Sequence, residues 1–455
     1  MRHILAVDVG TSSLKLGLFS QELELLQEST WTYDVNLYGG GFADIDPERW
    51  WSRFVEGCHS LGDMASDVGV ISFSVTTPGL VPMAENGMAL GPAILFFDGR
   101  SHQQAAWIQR QVGERKLLAE TCNLPVSGGS SLASMLWIRE NQPSTFRDTY
   151  KFGHCNTFMV HRLTGKWVVD PSTTSITGLY NTAKNDLSWN RDVLRATGIG
   201  EEQLPSLMHS FNSPGCVLPT IASALGVPRD CRVLCGGNDA VLAALSGGLT
   251  EPGMISNING TCEITCVCVD RPVSSPSFNL RCHVIPGLWV TFFVLNTGGK
   301  SLEWFRSVFC SEMSTAQFYD EYVPSALEEH FSHEDLALAE ASLPDFVPYL
   351  QGSRYSLDQL AASLTKVRLE TTREMVLLAI IRGNEQYHAA HLREVASLVK
   401  IDSHIASSGG VSRIRGYQMA QKRWLAPLEY SYQDQSSLLG AAMLGRVDEN
   451  GEFPY

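Results

Sequence analysis

The chain opens on an unbroken apolar run, Ile4-Leu5-Ala6-Val7, that ends at Asp8. Gly10-Thr11-Ser12-Ser13 then turns it into an alternating segment, Leu14-Lys15-Leu16-Gly17-Leu18-Phe19. The pattern predicts a buried strand, a tight turn and a second strand. Val70 to Val75 repeats the apolar run and ends in Thr76-Thr77-Pro78-Gly79. Leu80-Val81-Pro82-Met83 is expected to form a hairpin across the turn Glu85-Asn86-Gly87. Ala93 to Phe97 is a further apolar run, closed by Asp98-Gly99-Arg100-Ser101 where a helix opens. Helical spacing covers Ser131 to Asn141 and His154 to Leu163.

The same alternation returns later in the chain. Cys231 to Cys235 is predicted as a strand leading into Gly236-Gly237-Asn238-Asp239, with a helix from Ala240 to Leu245. Met254 to Asn259 then runs into Gly260-Thr261 and a strand-like segment, Cys262 to Cys268. Long helices are expected between Gln359 and Leu398, and the segment Gln435 to Leu444 is assigned to the second half. Recurrence of strand, glycine-hydroxyl turn and strand implies two related lobes, divided near residue 246.

Composition narrows the function. At 455 residues the chain exceeds the size at which one core keeps growing, so two domains are expected. With 44% apolar and 18% charged residues it reads as a folded globular protein. A net charge of −14 argues against nucleic acid or an anionic membrane as partner, because both select basic surfaces. It leaves room for a nucleotide, since local N–H groups and one cation can hold phosphates within an acidic protein. No stretch reaches the ~20 apolar residues of a membrane span, and no leader pattern is read at the start, so a cytoplasmic location is expected. The 11 cysteines lack metal-ligand spacing and read as reduced, mostly buried thiols. His388 and His391 share a helix face without a matching carboxylate.

Four turns carry candidate chemistry: Asp8 to Ser13, Gly236 to Asp239, Gly260-Thr261 and Ser407-Ser408-Gly409-Gly410-Val411-Ser412. Each follows an apolar strand, and ligands of open α/β sheets gather at carboxyl ends of strands. Glycines and hydroxyls there suit phosphates, Asp8 suits a hydrated cation, and Asp239 suits a general base. Taken alone, the first turn equally fits an ordinary hairpin, and Asp239 fits a helix cap better than a base. No Walker-type loop and no protein-kinase catalytic loop occurs.

Together these segments resemble the FGGY family of carbohydrate kinases, nearly end to end. Asp8-Val9-Gly10-Thr11-Ser12-Ser13-Leu14-Lys15 is similar to the first phosphate loop, and Asp46-Pro47-Glu48-Arg49-Trp50-Trp51 to the acidic-Pro-x-x-Trp-Trp segment. Leu95-Phe96-Phe97-Asp98-Gly99-Arg100 resembles the strand end before the first helices. Leu163-Thr164-Gly165 with Asp170, Gly237-Asn238-Asp239-Ala240, Asn259-Gly260-Thr261, Gly299 to Trp304, Gly409-Gly410 and Leu439-Gly440-Ala441-Ala442 continue the series. The resemblance implies two ribonuclease-H-like domains of the actin, sugar-kinase and chaperone ATPase type around a central cleft. Residues 1–246 would bind the sugar and carry the base, and residues 247–455 would bind the nucleotide.

Carried onto this sequence, the resemblance makes Asp239 the base and Asp8 the residue that places Mg²⁺. Gly10, Thr11, Ser12, Ser13 and Lys15 would line the γ-phosphate of ATP, and Gly260, Thr261, Gly299, Gly409 and Gly410 the rest of the nucleotide. Thr76, Thr77, Phe96, Asp98, Asn238 and Asp239 would form the sugar pocket. The implied reaction is ATP-dependent phosphorylation of a ketopentose, a ketohexose or a related polyol. The alternative is a weakened sugar-binding relative, and a homodimer is an assembly the resemblance allows. Thr76-Thr77-Pro78-Gly79 stands where xylulose kinases carry a Gln-Met-His-Gly type of loop, and Ser134 where the first family signature expects Lys. Cys262-Glu263 resembles the Trp-Glu pair of fuculose kinases.

Overall fold

A computed structural model describes residues 2–447 and 451–453. The chain forms two compact units. The first runs from the N-terminus through Thr250, and takes back Asp270–Val290 and the residues from Ser436 onward; the second comprises Glu251–Val269 and Thr291–Gln435. The first unit thus runs a few residues past 246 and takes in two later segments of the chain.

In the first unit the strand His3–Val9 pairs antiparallel with Ser13–Phe19 and parallel with Val68–Val75. Ser13–Phe19 pairs in turn with Leu25–Thr32. The apolar runs explain the centre of this sheet, since Ile4, Leu5, Val7, Ile71 and Phe73 are all fully buried. The helix Pro47–Ser60 covers one face through Trp50 and Phe54, and its N-cap Asp46 accepts from the Glu48 N–H. The helix Ser437–Leu444 packs on the first strand and on the helix Asp239–Ser246. It lies so close that a Cβ on Gly440 would meet the Leu242 carbonyl oxygen at 2.1 Å. The sequence placed this helix with the second lobe; Gly440 lets it dock in the first unit instead.

Two strand readings are corrected. The run Cys231 to Cys235 is a strand only over Arg232–Val233, and the ladder resumes at Gly237–Asn238 against Ser74 and Val75. Gly236 breaks it, with φ +73° and a Cα so near Phe73 that a Cβ would lie 2.5 Å from that carbonyl oxygen. The strand Gly79–Met83 pairs chiefly with Ala93–Leu95 and Lys151–Gly153; the expected hairpin shrinks to the single bridge Met83–Ala89.

In the second unit Ile255–Asn259 pairs antiparallel with Glu263–Val269 and parallel with His404–Ser408, which pairs with Glu429–Tyr432. The helix Arg373–Leu398 backs this sheet. The helical expectation fails between 359 and 372, where Ser363–Thr365 forms a ribbon with Asp345–Val347. Thr372 marks the helix start, accepting from the Met375 N–H. All 11 cysteines are free thiols. Among the described residues no helix is long and apolar enough to cross a membrane, and no cluster of three or more His, Cys, Asp or Glu side chains is placed to hold a metal.

Candidate active site

Asp8 is the penultimate residue of the first strand, and the parallel strand beside it brings Ser74 opposite in register. The Ser74 hydroxyl donates to Asp8 at 2.6 Å. Lys15 is the cross-strand partner of Asp8 on the other side. Between them the turn closes on itself, with Gly10 N–H donating to the Ser13 carbonyl at 2.9 Å. Tyr33 clamps it from outside: its hydroxyl reaches the Gly10 and Ser13 carbonyls, and its N–H reaches that of Ser12. Thr11 meets Thr76 through their hydroxyls at 3.4 Å. This joins the first turn to the end of the strand Val68–Val75.

Asp239 stands at the next strand end. The helix it opens is capped by Asn238, whose side-chain oxygen accepts from the Val241 N–H at 3.1 Å. Capping is therefore assigned to Asn238, and the Asp239 carboxylate is left at the first helical turn, accepting from Ala240 N–H and Asn238 Nδ2. Asn238 Nδ2 also donates to Thr77 Oγ1 at 2.6 Å, and Arg281 Nη1 donates to the same oxygen at 3.2 Å. Burial raises the Asp239 carboxyl to about 6, the neighbouring Asp8 carboxylate adds to the rise, and Arg281 opposes it. Asp8 is likewise pushed up by burial against its bonds to serine hydroxyls and the charge of Lys15. Asp8, Thr11, Thr76, Thr77, Asn238 and Asp239 thus form one polar pole within the first unit.

Three supports of that pole were given no site role by the sequence reading. Buried Asp170 accepts from Ser172 N–H at 2.8 Å and from Ser210 Oγ at 2.9 Å, and the Ser172 hydroxyl takes the Asn238 N–H at 2.9 Å. Arg281 lies in the segment returned from the second half of the chain, so no spacing rule could place it beside Thr77. Ser74 reads as one more buried strand residue until its neighbour is known.

Phe96 and Asp98, expected in the sugar pocket, have recorded partners of their own. Phe96 packs edge-on against Phe97 with ring centroids 4.9 Å apart. The Asp98 carboxylate is buried and accepts from Ala43 N–H at 2.6 Å, Arg100 N–H at 2.8 Å and Arg100 Nε at 2.9 Å to both oxygens. Arg100 also pairs with Asp44 at 2.8 Å. Three N–H groups donate to this one carboxylate, the Arg100 Nε shared between both oxygens, so Asp98 ties this loop together.

In the second unit a cavity of about 760 Å³ is lined by Gly260, Thr261, Gly299, Lys300, Tyr319, Gly410, Val411 and Ile414, among others. The helix Gly298–Phe309 starts at its wall, with Gly299 and Lys300 N–H groups on the Gly260 and Thr261 carbonyls. The glycines there serve different ends. A Cβ at Gly299 would lie 2.5 Å from the Gly260 carbonyl oxygen, and one at Gly409, where φ is +91°, 2.4 Å from that of Asn259. Those two are required by backbone packing. A Cβ at Gly410 would meet nothing within 4 Å, so this glycine keeps space open at the cavity wall. A larger cavity of about 910 Å³ in the first unit, lined by residues such as Glu120, Lys151 and Trp189, contains none of the expected site residues.

Comparison with known proteins places this geometry in a lineage. Residues 3–246 match the N-terminal domain of the FGGY family of carbohydrate kinases. A xylulose kinase of Staphylococcus xylosus is 23% identical over 99% of this chain and 91% of its own length. A gluconokinase of Bacillus subtilis (strain 168) is 24% identical over 97% and 87%. Among solved structures, xylulose kinase from Rhodospirillum rubrum superposes with a TM-score of 0.88 at 22% identity, covering 98% of this chain and 90% of that one. Gluconate kinase from Lactobacillus acidophilus gives 0.88 at 19% identity, covering 98% and 88%. The fold in common is a pair of ribonuclease-H-like domains.

Proposed function

The chain belongs to the FGGY family of carbohydrate kinases and is an ATP-dependent sugar kinase, and from that premise we propose how its residues divide the reaction. Asp239 is the general base. It takes the proton of the acceptor hydroxyl as that oxygen receives the phosphoryl group and ADP departs. The observation that carries this assignment is that Asn238, not Asp239, caps the helix, while burial and Asp8 hold the Asp239 carboxyl at about 6. A base with that affinity is ionised at neutral pH and still accepts a proton readily.

Asp8 is assigned the divalent cation. The residues fit: a magnesium ion keeps most of its water and needs one or two carboxylates beside phosphate oxygens, so no dedicated cluster of protein ligands is required. Such a cation would supply neutralisation of the phosphate charge. Gly10, Thr11, Ser12, Ser13 and Lys15 are assigned the γ-phosphate, while Gly260, Thr261, Gly299 and Gly410 are assigned the remainder of ATP in the second-unit cavity. Gly409 shapes the adjoining turn. Thr76, Thr77 and Asn238 are assigned to the acceptor. The names of the relatives admit both a ketose and a sugar acid as that acceptor.

The test is ADP release with and without a panel of ketoses, polyols and aldonic acids, using wild type and Asp239→Asn. Acceptor-dependent release that disappears in Asp239→Asn supports the assignment. Binding of a sugar without any sugar-dependent ADP would identify a weakened sugar-binding relative instead.

A further inference from the structure

Arg281 places a guanidinium at the acceptor end of the pole. Its strand, Asn279–Cys282, is pinned from two sides. Buried Asn123 donates to the Leu280 carbonyl at 2.8 Å and accepts from the Leu280 N–H at 3.0 Å. The Ser175 hydroxyl accepts from the Cys282 N–H at 2.8 Å. Leu280 and Cys282 point into the core, both fully buried, so strand alternation turns Arg281 to the opposite side, toward Thr77. A long basic side chain held on so firm a backbone is a positioned group.

Thr77 adds direction to this charge. Its oxygen already accepts from Asn238 Nδ2 at 2.6 Å and from Arg281 Nη1 at 3.2 Å. A hydroxyl has two acceptor sites and one hydrogen, so what Thr77 still offers is its O–H, as a donor. A guanidinium also only donates. Two donors side by side, one of them cationic, select an acceptor that is anionic. Asp8 and Asp239 would repel an anion brought near them, and the Arg281 charge offsets that repulsion.

We propose that Arg281 and Thr77 form a carboxylate subsite, and that the acceptor of this kinase is a sugar acid, a polyhydroxylated carboxylate, in preference to a neutral ketose. This rests on the reading of Asp239 as the base. Arg281 is then a substrate-binding residue that sets specificity, with Thr77 completing the grip.

The experiment measures kcat and KM by ADP release for matched acceptors: D-gluconate against D-fructose, and D-xylonate against D-xylulose. Wild type is expected to favour the acid of each pair. Arg281→Gln is expected to lower kcat/KM for the acid by roughly 10- to 150-fold, mostly through KM, with much smaller change for the neutral partner. Arg281→Lys should restore part of the loss, and Thr77→Val should reproduce the selective loss in a second fold-independent position. Wild type preferring the neutral partner, or Arg281→Gln lowering both acceptors equally, overturns the subsite while leaving the kinase assignment standing. Failure of every acceptor to stimulate ADP release overturns the kinase assignment itself, and the subsite with it.

Discussion

Each unit carries a pair of neighbouring carboxyl groups driven upward by burial, Asp8 with Asp239 and Glu263 with Glu385, and the two pairs are built for different ends. In the first unit Asp8 and Asp239 are only partly buried, and are surrounded by serine and threonine hydroxyls, Lys15 and Arg281. In the second, Glu263 and Glu385 are fully buried. Asn257 Nδ2 donates to Glu263 at 2.9 Å, and Thr265 meets His388 Nδ1 at 3.0 Å. His388 Nε2 lies 3.7 Å from Glu263, spacing that would suit an ion pair. Burial, however, lowers the His388 imidazole to about 3 and raises Glu263 to about 7, so at neutral pH the imidazole is uncharged. Glu385 is raised by burial and by Glu263. A displaced carboxyl is therefore not in itself a catalytic one. What separates the pairs is access and a counter-charge: Asp239 has both, whereas the glutamates are sealed beside a neutral histidine.

The largest expected effect comes from making Asp239 like its sealed counterparts. Asp239→Asn should lower kcat by about 10²- to 10⁴-fold while the protein stays folded. The same change should stabilise the fold at pH 7.5. A carboxyl raised to about 6 from an ordinary 3.8 binds its proton better when folded, so the stability it contributes below that range is lost as pH climbs through about 6. Removing the charge avoids that loss, and a thermal midpoint for Asp239→Asn below that of wild type would contradict it.

The acid limb of the kcat/KM profile should fall near pH 6, where Asp239 gains its proton. Because Arg281 holds that carboxyl down, Arg281→Gln should move the limb to higher pH. A limb unmoved by this substitution would remove Arg281 from the electrostatics of the base.

The glutamate pair should respond in stability and not in rate. Stability should decline as pH rises from the ordinary carboxylate range through about 7, since folding holds the proton on Glu263. The double variant Glu263→Gln, Glu385→Gln should flatten that decline with turnover near wild type. A large loss of turnover would show that the sealed pair communicates with chemistry after all.

The smallest effects separate two adjacent glycines. Gly410→Ala places a methyl into open space at the cavity wall, so the protein should keep its thermal midpoint and show a raised KM for ATP. Gly409→Ala forces a left-handed φ and a backbone clash, and should cost stability, by about 1 kcal/mol or more. Equal behaviour of the two would erase the distinction between packing and access.

The sequence showed much of this, unevenly. Asp8, Asp239 and their turns were legible because a strand end followed by glycine and hydroxyl residues is a local pattern, read from a few neighbouring residues. The helical reading of 359–372 failed because pairing of Ser363–Thr365 with Asp345–Val347 is a contact between segments, invisible to local periodicity. Asp98 was legible as a charged residue at a strand end, but its partners Ala43 and Arg100 decide that it fastens a loop. Arg281 gave no signal, since its meaning lies in Thr77, some two hundred residues earlier.

By itself, then, the sequence determined the alternation of buried strands and glycine turns and the two acidic strand ends, because burial periodicity and turn chemistry act over short stretches of chain, while the fold was legible through the resemblance of those segments to the FGGY family. The tertiary structure alone decided which segments return to the first unit, that Asn238 relieves Asp239 of capping, and that Arg281 stands beside them. Those outcomes depend on charges and hydrogen bonds brought within a few ångströms by folding, and distance in space is the one quantity a linear chain does not carry.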